Sequence, residues 1–347
     1  MRTFIFIPPV SKPTGGVAVL VQMVTHLRRA GFEAFAVPRE GGLGYYDGAD
    51  VPVRPWNALD LTPDDIWVAP EGWPNALAPG LSARARCVVY CQNWSYLFSS
   101  LPENVHWTQL PVHFLAVSQP VAWFIKETTG RDAPILRPGI DLGHFVPPPA
   151  KPDGPIRIAF MPRKNKALVE RIRETLLARL VMAGQADAVR FVPISGQTGD
   201  GVTRLLADAH IFLASGFPEG CPLPPLEAMA CGCLPVGFGG FGGWDYMRQA
   251  PQDNPAGCFA PWWPLRDVPW DGNGLWAADA DVPAAALALE EAVRWLRTGD
   301  PRATDALAAC RATAQAYAEA AQAERLAALW TRAASGELFP PSPQRQA

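Results

Sequence analysis

Residues 217–236 read Phe-Pro-Glu-Gly-Cys-Pro-Leu-Pro-Pro-Leu-Glu-Ala-Met-Ala-Cys-Gly-Cys-Leu-Pro-Val, and the carboxylates Glu219 and Glu227 stand eight positions apart in them. Gly220, Pro222, Pro224 and Pro225 disfavour helix up to about residue 224. Glu219 is therefore expected in a loop, and Glu227 in the first turn of a helix carrying Leu226, Met229 and Ala230. A short apolar strand is expected on either side, at 211–214 and 234–238. Such a strand, loop, helix, strand unit opens its ligand crevice at the strand's C-terminal end, where the helix N-terminus offers free N–H groups to an anion. A carboxylate in that loop can accept hydrogen bonds from sugar hydroxyls, and one at the helix start can hold a ribose diol. The plainer readings are a solvated loop charge at Glu219 and a dipole-favoured first-turn acid at Glu227.

Outward from this unit, strand-like and helix-like segments alternate. Strands are expected at 3–7, 33–37, 66–69, 87–91, 114–117 and 135–137, with helices at 17–30 and 119–129. The five prolines of 147–155 read as a stiff linker. Beyond it come a strand at 156–161, a helix at 167–183, a strand at 189–192 and a helix near 202–209. Alanine-rich helices at 287–296 and 303–330 and a frayed tail at 335–347 close the chain. This alternation predicts an α/β protein with two doubly wound parallel sheets.

The totals agree with such a protein. A chain of 347 residues suits two domains, and 49% hydrophobic residues describe a globular one. A net charge of −3 argues against a nucleic-acid binder. No apolar run is long enough for a membrane span, though peripheral membrane contact stays open. The N-terminal apolar stretch reads as a first strand rather than a leader, so a cytoplasmic location is expected. Seven cysteines without a paired spacing suggest reduced thiols, and the five histidines form no ligand motif. Asp279-Ala280-Asp281 imitates a metal motif, but Asp281 precedes Val282-Pro283 and reads as a helix N-cap. Trp262, Trp263, Trp270 and Trp276 crowd one stretch and suit packing better than sugar stacking.

The string 217–236 as a whole resembles the Glu-x7-Glu signature of retaining nucleotide-sugar glycosyltransferases of the GT-B fold, in particular glycosyltransferase family 4. There the pattern runs Glu-Gly-Phe-Gly-Leu-Pro-x-Leu-Glu-Ala-Met-Ala-Cys-Gly-x-Pro-Val. The resemblance implies two Rossmann-like domains, 1–146 on the acceptor side and 156–310 on the nucleotide-sugar side. It also implies a terminal helix, 311–334, that returns to the first domain. The implied activity is metal-independent transfer of a sugar from a nucleotide-diphosphate donor to a hydroxyl of a glycan, lipid or small molecule, as in polysaccharide biosynthesis, with no cofactor. A nucleotide-sugar epimerase of the same fold and a non-catalytic sugar-nucleotide binder are the alternatives.

Roles follow by resemblance. Glu219 would bind the donor sugar, Glu227 the ribose, and Arg163 with Lys164 or Lys166 the diphosphate. Relatives commonly carry Gly-Arg-x4-Lys-Gly here, whereas residue 168 is Leu, so the choice of lysine stays open. Gly15 and Gly16 would lie near donor phosphate and acceptor, and Gly239 and Gly240 in a glycine turn near the donor, whose surplus of glycine suggests mobility. Pro222 lacks an N–H, which leaves Gly220, Cys221 and Leu223 to line the phosphate. Many relatives have a His after the fourth strand. This chain has Gln92, Asn93 and Trp94 there, as acceptor-side residues without a general base.

Overall fold

The structure is a computed structural model that describes residues 1–10, 14–46, 50–197, 199–252 and 261–340. The chain divides into two compact units, 1–139 with 320–347, and 140–319.

In the first unit, β1 (Thr3–Ile7), β2 (Ala34–Pro38), β3 (Ile66–Pro70), β4 (Arg86–Cys91) and β5 (Val112–Ala116) form one parallel sheet in the order β2-β1-β3-β4-β5. Helices α1 (Gly15–Arg29), α2 (Ala78–Ser82), α3 (Tyr96–Ser99) and α4 (Gln119–Thr129) connect them. Thr14 caps α1 by accepting the Val17 N–H, so Gly15 and Gly16 begin the helix rather than filling a loop before it. The strand expected at 135–137 shrinks to a single bridge between Ile135 and Ala116.

In the second unit, β6 (Ile156–Phe160), β7 (Val189–Pro193), β8 (Ile211–Ala214), β9 (Leu234–Phe238) and β10 (Leu275–Ala277) pair in parallel in the order β10-β9-β8-β6-β7. Helices α5 (Lys166–Met182), α6 (Gly199–Asp208), α7 (Leu223–Ala230), α8 (Val282–Thr298) and α9 (Pro301–Ala316) surround the sheet. The core is apolar: Ile158, Leu213, Val236, Leu176, Leu289 and Trp295 are fully buried.

Three expectations of organisation need correction. The proline-rich run 147–155 is no free linker, because it belongs to the second unit. There the ammonium of Lys151 donates to Leu206 O (3.2 Å), Ala207 O (2.9 Å) and Cys231 O (2.7 Å), carbonyls at the C-terminal ends of α6 and α7, where a cation is favoured. The long helix expected at 303–330 breaks at residues 317 and 318. Ile140 pairs with Ala318 there, donating its N–H to Tyr317 O and accepting that of Glu319. The chain resumes as α10 (Glu319–Ala334), which packs in the first unit: Trp330 Nε1 donates to Thr3 Oγ1, and Arg86 Nη1 donates to Ala333 O. The expected tail is ordered through Pro340, whose carbonyl meets His113 Nε2 at 2.8 Å while Phe339 is buried beside Trp330; residues 341–347 lie outside the described ones.

Candidate active site

In the second unit the chain leaves β6 toward β7 on one side and returns through β8 on the other, so its order reverses between the neighbours β6 and β8. The loops following those strands flank the crevice of a doubly wound sheet. Arg163 and Lys164 follow β6, and Glu219 follows β8. Side-chain bonds lock the two loops together. Ser215 Oγ donates to Lys164 O at 2.6 Å, and Asn165 Nδ2 donates to Ser215 O at 2.8 Å. Asn165 reaches that carbonyl from a left-handed backbone (φ 56°), which Asn tolerates better than most residues. The sequence reading missed both Ser215 and Asn165, since a lone Ser and Asn carry no pattern.

The lock brings Lys164 onto Glu219. Its ammonium pairs with Oε1 of that carboxylate, both side chains being largely buried, on the wall of a narrow cavity shared with Met161, Ser215, Pro222 and Phe238. Lys166 is the first residue of α5 and lines a different groove with Pro162, Glu170 and Arg173. Of the two candidate lysines, the structure thus joins only Lys164 to Glu219.

The glycine turn after β9 holds Glu219 by its backbone. The Glu219 N–H donates to Gly240 O at 2.9 Å, Gly242 N–H returns to Glu219 O at 3.0 Å, and Gly240 N–H donates to Asp279 Oδ1 at 2.9 Å. Gly239, Gly240, Gly242 and Gly243 are buried, so the expected mobility is replaced by close packing of backbone on backbone. A Cβ at Gly242 would stand 1.9 Å from Gly220 O. Asp279 thus bonds this turn, and Asp281 caps α8 through the Ala284 N–H.

Helix α7 begins at Leu223, earlier than expected. Pro224 and Pro225 sit in its first turn, where a missing N–H breaks no helical bond. Glu227 therefore falls in the second turn. Since Pro222, Pro224 and Pro225 occupy three of the four positions whose N–H groups a helix leaves open, only Leu223 offers one, a much poorer anion site than expected. Burial pushes the Glu227 carboxyl up to about 7, with the charges of Arg163 and His144 pulling it back. Arg163 is exposed, its guanidinium 3.9 Å from Met161 Sδ. His144, which sequence spacing did not mark, also meets Asp200, Nδ1 to Oδ1 3.8 Å.

In the first unit the order reverses between β1 and β3. Gly16 follows β1, and Gln92, Asn93 and Trp94 follow β4, the neighbour of β3. Gln92 Nε2 donates to Gly16 O at 3.0 Å, Asn93 Oδ1 accepts from the Ser95 N–H and hydroxyl, and Trp94 meets Phe124 edge to face. Of the four clustered tryptophans, Trp270 and Trp276 are buried and bonded to Tyr246 O and Arg248 O, whereas Trp262 is 97% exposed. Among the described residues six cysteines are buried and free of disulfides, and no helix is long and apolar enough to cross a membrane.

No family model matches the chain. It is similar to an alpha-1,6-glucosyltransferase of Actinobacillus pleuropneumoniae serotype 7 (strain AP76), 26% identical over 190 residues that make up 53% of this chain and 55% of the relative. The match thus spans about half of that protein's length. Among solved structures, a glycosyltransferase from Rickettsia africae ESF-5 superposes with a TM-score of 0.68 at 13% identity, covering 96% of this chain and 98% of that one. The catalytic domain of Starch Synthase IV from Arabidopsis thaliana, bound to ADP and acarbose, gives 0.61 at 13% identity over 96% and 99%. These likenesses and the two parallel sheets define the fold as that of the GT-B glycosyltransferases.

Proposed function

We propose that this chain is a retaining, metal-independent glycosyltransferase that moves a hexosyl group from a nucleoside-diphosphate donor to a hydroxyl acceptor. The observation that carries the reading is the meeting of Lys164 with Glu219 at the β6/β8 reversal. The sugar–phosphate bond breaks as the diphosphate gathers negative charge, and fixed cations there lower the barrier most. Lys164 and Arg163 supply them, Lys164 held in place by Glu219. Glu219 also accepts from the donor sugar's hydroxyls, and Glu227 receives the ribose. The acceptor oxygen bonds the anomeric carbon on the face the phosphate leaves. Its proton passes to the departing phosphate, because Gln92 is no base. The glucosyltransferase likeness supports a hexosyl donor.

The test is release of nucleoside diphosphate from a panel of UDP-, GDP- and ADP-hexoses, with and without a panel of saccharide acceptors and with EDTA. Acceptor-dependent, EDTA-resistant release giving a product of unchanged anomeric configuration is expected. Turnover without any acceptor would favour an epimerase, binding without turnover a non-catalytic sugar-nucleotide binder, and loss with EDTA a metal-dependent site.

A further inference from the structure

One buried carboxyl in the first unit has no part in the reading above. Glu71 follows β3, is 4% exposed, and so stands beside the β1/β3 reversal. Its two oxygens accept from consecutive backbone N–H groups, Oε2 from Gln92 at 2.9 Å and Oε1 from Asn93 at 2.8 Å. Its own carbonyl accepts from Ser100 Oγ at 2.7 Å. Gln92, held this way, reaches Gly16 O, and a Cβ on Gly16 would stand 2.9 Å from Gln92 Oε1. Glu71 therefore ties the loops after β3 and β4 together and, through Gln92, to the start of α1, at the ligand end of this sheet.

The two N–H donors here meet one oxygen each, side by side. An ionised carboxylate provides both, while an amide provides one and sets its own N–H against the other donor. A buried carboxylate is a costly way to staple a loop that any apolar contact could hold. That cost is reasonable where a loop must be placed to within a fraction of an ångström. We propose that Glu71 is a positioning residue for the acceptor: its carboxylate fixes the 92–94 loop, whose Gln92 and Asn93 amides bind the acceptor's hydroxyls. The proposal rests on the glycosyltransferase reading and adds a residue to it.

The group responds to pH. Burial pushes the Glu71 carboxyl up to about 7, opposed by the N–H groups of Gln92 and Asn93. Among the described residues, the titratable group facing it is the Cys91 thiol, itself held well above its ordinary value by burial and then by the charge of Glu71, so that it stays protonated. Protonation turns one Glu71 oxygen into a donor, frees one of the two N–H groups and loosens the loop.

The experiment compares wild type, Glu71→Gln and Glu71→Asp at pH 8. Glu71→Gln should raise the acceptor KM on the order of tenfold or more while the donor KM holds, and Glu71→Asp should recover part of the loss. In wild-type protein without substrate, the amide resonances of Gln92 and Asn93 should titrate together near pH 7, and in Glu71→Gln they should not. This arm also decides the matter if Glu71→Gln fails to fold, since amides that do not move through pH 7 in wild type overturn the proposal. A folded Glu71→Gln with wild-type acceptor KM overturns it as well, as does an equal rise in both KM values. Wild-type protein that transfers to no acceptor overturns the functional reading and this proposal together, whereas normal transfer by Glu71→Gln overturns this proposal alone.

Discussion

Lys164 and Glu219, 55 residues apart in sequence, meet as an ion pair across the two strands between which the second sheet reverses. Both side chains are largely shielded, so the attraction is stronger than that of a surface pair. Each also orients the other. An ammonium on a four-carbon stem is otherwise free to swing, and the carboxylate limits it to the crevice wall.

On the proposed mechanism Lys164→Ala should lower kcat by about a hundred- to a thousandfold and change the donor KM less, since the charge it meets is greatest in the transition state. Lys166→Ala should stay within about threefold of wild type, well under 1 kcal/mol. Steady-state kinetics on the two variants decides. A costly Lys166→Ala beside a mild Lys164→Ala would reverse the assignment.

Glu227 predicts a trade between stability and binding. Its folded value, about 7, lies above the ordinary 4.5, so the folded protein holds this proton more tightly than the unfolded chain. That contribution to stability is complete below about 4.5 and is lost as pH rises through about 7. Glu227→Gln, neutral at every pH, should therefore stabilise the fold at pH 8 by on the order of 2 kcal/mol and bring no gain at pH 4.5. Nucleotide binding should weaken by about 1.5 to 3 kcal/mol in Glu227→Ala. Urea titrations at the two pH values and calorimetry with nucleoside diphosphates read these effects.

The fold was legible because its signals are local. Apolar runs such as 211–214 and 234–238 are strands in the structure, with the bounds expected. Helix starts were harder: Pro224 and Pro225 read as helix breakers, yet the first turn accepts them. Within the site, Glu219 and Glu227 stood out because twenty neighbouring residues form one pattern. Ser215, Asn165, His144 and Glu71 did not, since their partners come from distant loops: Glu71 meets an N–H 21 positions away, and Asn165 a carbonyl 50 away. Such pairings depend on strand order, which a hydrophobic period does not encode. The choice between Lys164 and Lys166 was open for the same reason, as it turns on which side of β6 each residue faces.

Lys151 illustrates a stabilising role hidden in a stretch that reads as linker. Its ammonium holds three carbonyls, so Lys151→Met keeps the stem but leaves these acceptors without their charged donor. A loss of about 2 kcal/mol in unfolding free energy is expected. The burial-raised Cys233 thiol, which lies 3.8 Å from Lys151 Nζ, should become still harder to ionise. Thermal melts and the pH dependence of thiol alkylation in urea-free buffer check both effects. An unchanged melting temperature would return the run 147–155 to the status of a spacer.

The glycine turn gives the sharpest contrast between a close approach and ordinary backbone strain. At Gly242 an added Cβ would lie 1.9 Å from Gly220 O and 2.6 Å from Glu219 O. Those atoms are backbone and cannot turn aside as a side chain would, so Gly242→Ala must push the 219–220 loop off the turn. The expected cost is about 3 kcal/mol of stability, as for overpacking in a dense interior. Because Glu219 moves with that loop, donor binding should fall as well. Gly184, which ends α5 at φ +68° with nothing within 4 Å of its would-be Cβ, is the control. Gly184→Ala pays only for a left-handed backbone, about 1 kcal/mol, and should leave donor affinity untouched. Denaturant titration together with donor calorimetry on the two variants separates the effects. If Gly242→Ala behaved like Gly184→Ala in both measurements, the turn would not be what holds Glu219 in place.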